Sequence, residues 1–191
     1  MSLRRSPLHP WHLRQVKTVV RAGGVIAYPT ESVFGLGCDP LNQQAVERLL
    51  RLKQRSVKKG VILIAADFSQ LKPFIGQLPD ACLKAIFSTW PGPNTWLFPT
   101  RPDTPNWLSG DHATIAVRVT NHPIAAALCQ SCNSPLVSTS ANLSGRQPSK
   151  SALQVQSTLG HGVDYIVHGE TLGICRPSSI RDGLTGKVLR P

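Results

Sequence analysis

Gly60 is followed by an apolar run, Val61-Ile62-Leu63-Ile64-Ala65. A run this short and unbroken reads as a strand buried on both faces, and such a strand belongs to a sheet with cover on either side. Segments of strand and helix character alternate around it, which predicts an α/β domain. The 191 residues suit one domain with a sizeable core, expected to span 1–191 with its core from about residue 9. No apolar run approaches the roughly 20 residues that cross a bilayer. Arg4 and Arg5 are followed by Pro7, His9 and Pro10 rather than an apolar signal core, so neither membrane insertion nor export is expected. Five cysteines, Cys38, Cys82, Cys129, Cys132 and Cys175, are an odd set in a chain that needs no staples. They fit the reducing cytoplasm.

Taken in order, Leu13, Val16 and Val20 predict a helix over Trp11–Ala22, stopped by Gly23-Gly24. Val25–Tyr28 reads as a short strand running into Pro29-Thr30-Glu31-Ser32-Val33-Phe34-Gly35-Leu36-Gly37, where Gly35 and Gly37 are expected to permit positive φ. Asn42 is expected to cap a helix to about Lys53. Asp67 caps a short helix ended by Pro73, and Pro79 starts another reaching Trp90. Thr95–Phe98 and Thr114–Val119 read as strands, separated by a loop over Arg101–Asp111. Asn121 is expected to cap a helix to Cys132, and Ser151 one ended by Gly160. Tyr165–Val167 is a strand, Pro177–Asp182 begins another, and Lys187–Arg190 closes the chain.

The chemistry gathers where strands end. Leu136-Val137 runs into Ser138-Thr139-Ser140-Ala141-Asn142-Leu143-Ser144-Gly145. Small polar residues let backbone N–H groups approach an anion. The same residues also make ordinary Ser/Asn turns. Arg118 stands in an apolar strand, where it must find a partner or face a cleft, unless it lies on an exposed edge. Arg48, Arg51, Lys53, Arg55, Lys58 and Lys59 crowd one helix end, and 21 Lys plus Arg against 10 Asp plus Glu give a net charge of +11. That excess favours RNA or nucleotide as partner. No Walker loop, H-E-x-x-H or G-x-S-x-G occurs, and Gly35-Leu36-Gly37 is no dinucleotide fingerprint because Pro40 replaces the third glycine. Cys129-x-x-Cys132 has no second pair and the six histidines show no ligand spacing, so a metal cluster is not expected. Mg²⁺ held mainly by substrate phosphates is compatible with this pattern. Cations beside hydroxyl and amide donors, Lys53-x-Arg55 and Ser140-x-Asn142, meet the requirements for holding a triphosphate through phosphoryl or nucleotidyl transfer.

Tyr28–Gly37, Lys53-Gln54-Arg55, Trp90-Pro91-Gly92-Pro93, Ala116-Val117-Arg118 and Ser138–Gly145 follow one another in an order that resembles the YrdC-like threonylcarbamoyl-AMP synthase family in its short bacterial form. The resemblance runs from about Val16 to Arg190. It implies a single α/β domain with a twisted, mostly mixed sheet, helices flanking it, and a site on a basic concave face. It also implies a reaction: L-threonine, bicarbonate and ATP give threonylcarbamoyl-adenylate and pyrophosphate, for N6-threonylcarbamoylation of tRNA adenosine 37. By this resemblance Lys53, Arg55, Ser140 and Asn142 are the catalytic, phosphate-gripping set, and Ser149 and Arg190 are further ATP contacts. Thr30, Arg118, Ser138 and Ser178 are implied for threonine, with Arg118 on its carboxylate. ATP is then a substrate. Structured RNA such as tRNA, and other proteins of the tRNA threonylcarbamoylation machinery, are the implied partners. Two departures stand out: some relatives carry a His after the strand matching Val61–Ala65, which is apolar here, and Arg146-Gln147-Pro148 separates the Ser-Gly end of the motif from Ser149. Two rival readings exist. A non-enzymatic protein of ribosome maturation would use the basic stretch to dock structured RNA and would need neither Thr30 nor Arg118. Carbamoyl transfer through carbamoyl-adenylate occurs in related domains of hydrogenase-maturation proteins, whose longer chains carry motifs missing here.

Overall fold

The structure, a computed structural model, describes residues 8–174 and 178–191. Arg4, Arg5, Pro7, Cys175 and Pro177, which entered the sequence analysis, lie outside the described residues. Nine strands are β1 (Ile26–Pro29), β2 (Phe34–Gly37), β3 (Ile62–Ala65), β4 (Asn94–Pro99), β5 (Thr114–Val119), β6 (Leu136–Ser140), β7 (Tyr165–Ile166), β8 (Ser179–Asp182) and β9 (Val188–Arg190). They form one sheet in the order β7-β1-β2-β6-β3-β5-β4-β8-β9. Pairs β1·β7, β3·β5 and β4·β8 are parallel and the remaining pairs antiparallel, so the sheet is mixed, as expected.

Helices cover both faces. On one, α1 (Pro10–Arg21) and α5 (Pro123–Cys132) bury Val16, Val20, Ala125 and Leu128 against Ile26, Tyr28, Ile64 and Leu136. On the other, α2 (Gln43–Leu52) and α6 (Ala152–Leu159) bury Val46, Leu49, Val155 and Leu159 with Ala27, Leu36, Leu63, Ala65 and Val117. The helices α3 (Asp80–Phe87) and α4 (Asn106–Ser109) add Ile86 and Leu108 there. In β3, Leu63 and Ala65 therefore point to one core and Ile64 to the other, the two-sided burial that the apolar run required. Side-chain caps fix helix starts: Asn42 Oδ1 accepts from Ala45 N at 3.0 Å and Ser151 Oγ from Gln154 N at 3.2 Å.

Several expectations are corrected. Phe34–Gly37 is a strand of its own, hairpinned back on β1 rather than a polar extension of it. Gly35 and Gly37 do not adopt positive φ. They are glycine because of crowding: a Cβ at Gly37 would meet Val137 O at 2.6 Å and the Tyr28 ring at 2.8 Å. Pro73 lies within the second of two 3₁₀ turns, Phe68–Gln70 and Lys72–Phe74, and α3 stops at Phe87 short of Trp90. Pro123 at the first helical position makes the preceding His122, not Asn121, the cap of α5, with Nδ1 accepting from Ala125 N at 3.4 Å. The expected loop before β5 contains α4.

Candidate active site

The sheet register puts a row of residues on one pleat face. Gly35 stands opposite Ser140, Ile62 opposite both Ser138 and Ala116, Leu97 opposite Ala116, and Ile180 opposite Arg190. This is the face that α1 and α5 cover at the β1 side, where Ile64 sits. Beyond those helices it is left open as a cavity of about 460 Å³. Small residues in the row, Gly35, Ala116, Ser138 and Ser140, leave the space, while Leu97, Ile180 and Leu189 give it an apolar wall. A Cβ on Gly35 would come within 3.2 Å of Thr30 Cγ2 and 3.5 Å of Ser138 Oγ, so this glycine keeps the cavity floor clear.

Seven of the residues singled out from the sequence line this cavity: Thr30, Arg55, Arg118, Ser138, Ser140, Ser178 and Arg190. Arg118 is buried in β5 and faces the cavity rather than an exposed edge. Its Nη2 lies 3.3 Å from Glu31 Oε2. Thr30 closes the turn between β1 and β2, its N and Oγ1 both donating to Val33 O at 3.1 and 2.7 Å. At the far side, Arg190 donates to Ser178 O from Nε at 3.2 Å and from Nη2 at 2.8 Å, and Ser178 Oγ accepts from Thr95 at 3.1 Å.

The remaining three lie behind the wall. Lys53, the residue closing α2, is 3% exposed. Its ammonium donates to Ser140 O, to Asn142 O at 2.9 Å and to Asn142 Oδ1 at 3.2 Å. In return Ser144 N and Oγ donate to Lys53 O at 3.0 and 2.9 Å. Ser140 Oγ completes the knot by donating to Asn142 Oδ1 at 2.6 Å. Ser149 is buried and ties strands through its backbone, to Phe34 N and Ala141 O, while its neighbour Pro148 reaches the cavity. Lys53 and Asn142 thus brace the loop after β6, with Ser140 and Arg55 on the cavity side.

Charge is unevenly matched here. Among the described residues neither Arg55 nor Arg190 has a carboxylate within 4 Å, and Lys59 also lines the cavity. Burial, then the nearby Arg118 and Arg55, lowers the pKa of Arg190, and burial lowers that of Arg55. Burial and then Arg55 bring the Lys53 ammonium down to about 8. Cations that repel one another around an open space make a receptor for a polyanion. Among the described residues no Asp or Glu side chain lines the cavity and no group of three metal-ligating side chains occurs. Sequence reasoning had named Glu31 only as part of a motif and missed Lys59, His112 and Thr114 on the cavity wall. Lys59 stood in the basic run and could have been found there, whereas His112 and Thr114 carry no local signal.

A family model described as "Telomere recombination" (Sua5_yciO_yrdC) matches residues 18–191. A protein of Nitrosococcus oceani named threonylcarbamoyl-AMP synthase is 53% identical over 180 residues, 94% of this chain and 97% of that one. One of the same name from Klebsiella pneumoniae is 54% identical over 174 residues, 90% and 91% of the two chains. Among solved structures, P. abyssi Sua5 complexed with L-threonine superposes with a TM-score of 0.89 at 32% identity. It is matched over 96% of this chain and 55% of its own, so this chain spans just over half of that Sua5. E. coli YciO superposes with a TM-score of 0.85 at 31% identity, over 95% of this chain and 89% of its own.

Proposed function

The chain belongs to the Sua5/YciO/YrdC family, and on that premise we propose that it forms threonylcarbamoyl-adenylate and pyrophosphate from L-threonine, bicarbonate and ATP, for N6-threonylcarbamoylation of tRNA adenosine 37. The observation that carries this is the convergence of Arg55, Lys59, Arg118 and Arg190 on one cavity, with, among the described residues, a carboxylate beside Arg118 alone. Four cations with one counter-charge suit one carboxylate and a polyphosphate together.

In this reaction the neutral amine of threonine forms a bond to the carbon of bicarbonate, whose hydroxyl leaves with an amine proton as water, giving N-carboxy-threonine. An oxygen of the new carboxylate attacks the α-phosphorus of ATP. The bond from that phosphorus to the oxygen bridging to the β-phosphate breaks, and pyrophosphate leaves with the electron pair. Arg118 takes the threonine carboxylate, with Thr30, Ser138 and Ser178 as hydroxyl partners. Arg55, Ser140 and Arg190 face the phosphates and stabilise the charge that builds up there. Lys53 and Asn142 act by holding Ser140 in place, and Ser149 acts through its backbone beside Pro148. Among the described residues no carboxylate lines the cavity wall, so a Mg²⁺ ion would be held mainly by the ATP phosphates and would supply charge neutralisation there.

Unpaired surface cations offer RNA such as tRNA a place on the same protein, and the free thiols Cys38, Cys82, Cys129 and Cys132 suit the cytoplasm. No helix among the described residues is long and apolar enough to cross a membrane. The test is pyrophosphate release from ATP by purified protein. Release that requires both L-threonine and bicarbonate supports the synthase. Release indifferent to threonine removes it.

A further inference from the structure

Glu31 is a carboxylate where the mechanism asks for none. It is 1% exposed, lies in the turn after β1 next to Thr30, and is absent from the cavity wall. Its Oε1 accepts from Thr120 Oγ1 at 2.7 Å, and its backbone oxygen accepts from Ile174 N at 3.1 Å. Its Oε2 is buried with no hydrogen bond, 3.3 Å from Arg118 Nη2, and Arg118 Nε is likewise buried without a partner. A buried ion pair with unspent hydrogen-bonding capacity is a weak source of stability. Its effect on charge is large, because a buried carboxylate at this range offsets most of the field of one guanidinium.

Arg55 and Arg190 have no such partner among the described residues. An uncompensated arginine attracts whichever ligand carries most negative charge, and in this cavity that is the polyphosphate. Three equal arginines would let a triphosphate or pyrophosphate settle across the amino-acid end. We propose that Glu31 divides the cavity by charge, compensating Arg118 so that this guanidinium takes a singly charged carboxylate while polyphosphate is left to Arg55 and Arg190. Thr120 fixes the carboxylate's orientation from behind. The inference rests on the synthase reading and makes Glu31 a positioning residue that acts through Arg118.

The test is the inhibition pattern of inorganic pyrophosphate in Glu31→Gln. Glutamine keeps the shape, and either end of its amide can meet the Thr120 hydroxyl. Pyrophosphate should compete with ATP and not with L-threonine in the unmodified protein. In Glu31→Gln it should compete with L-threonine as well, with an inhibition constant at least fivefold lower. An unchanged pattern and constant overturn the proposal. A second measurement needs no variant: the Kd of L-threonine for the unmodified protein, by calorimetry, should change less than twofold when saturating pyrophosphate is added. A pyrophosphate-induced rise in that Kd of twofold or more overturns the division. Protein that binds no L-threonine at all removes the synthase reading itself, a failure separate from either.

Discussion

Lys53 donates to Asn142 twice, to its backbone oxygen at 2.9 Å and to its side-chain Oδ1 at 3.2 Å, across 89 residues of sequence. The end of α2 is thereby fastened to the loop after β6, and Ser140 at the cavity edge is fastened with it. The resemblance assigns this lysine to the phosphates; in the fold its ammonium meets the loop beneath the residues that face the cavity.

Replacing Lys53 by Met keeps the stem and removes the ammonium, taking the side-chain donor from Asn142 O and leaving Ser140 O with Asn142 N. Unfolding in urea should show a loss of about 1–3 kcal/mol. Pyrophosphate release should fall by roughly 10²-fold, the scale of a misplaced group at the reacting centre. Turnover equal to that of the parent would mean that the loop holds Ser140 unaided.

The same residue sets a pH dependence. Its ordinary value is 10.5 and its value in the fold is about 8. Between those two the unfolded chain holds a proton that the folded chain has released, so this group makes the protein more stable as pH rises through the window. Activity should move the other way above pH 8, as the ammonium loses a donor to the loop. Urea midpoints and rates over pH 7–10, compared with Lys53→Met, should show both slopes absent in the variant.

The two ends of the cavity should fail differently. Arg55→Ala should lower turnover by about 10²–10³-fold with little change in L-threonine affinity. Arg118→Lys should chiefly raise the KM for threonine, tenfold or more, because an ammonium cannot reproduce the two-pronged grip of a guanidinium on a carboxylate. Steady-state kinetics varying each substrate in turn separates them, and equal losses in both variants would erase the assignment of ends.

Gly37→Ala should destabilise the fold by about 1–3 kcal/mol, since the new methyl meets backbone at Val137 and the buried Tyr28 ring. Gly35→Ala meets Thr30 Cγ2 at a milder 3.2 Å. It should cost less stability than Gly37→Ala and raise the KM for threonine by narrowing the cavity floor. Thermal melts of the two variants beside their kinetics check the contrast.

Local sequence specified much of this molecule. Apolar spacing marked α1 and α2, an unbroken apolar run marked β3 and one holding Arg118 marked β5, and Asn42 and Ser151 cap where their types predict, because periodicity and capping are interactions among near neighbours. The ordered motifs also hold five of the singled-out residues that line one cavity, and the resemblance added Ser178 and Arg190. What neighbours in sequence cannot state is who stands opposite whom. Gly35 and Gly37 looked like turn residues, yet they are small because β6 and Tyr28 press against them. Lys53 meets Ser140 and Asn142 only because α2 ends against β6 and the loop after it, 87 and 89 residues on. Glu31 became Arg118's counter-charge only when the turn after β1 met β5. Such pairings depend on the order and register of a mixed sheet, where residues far apart in the chain come within hydrogen-bond distance. The tertiary structure alone decided them, because charge compensation and close packing act through space.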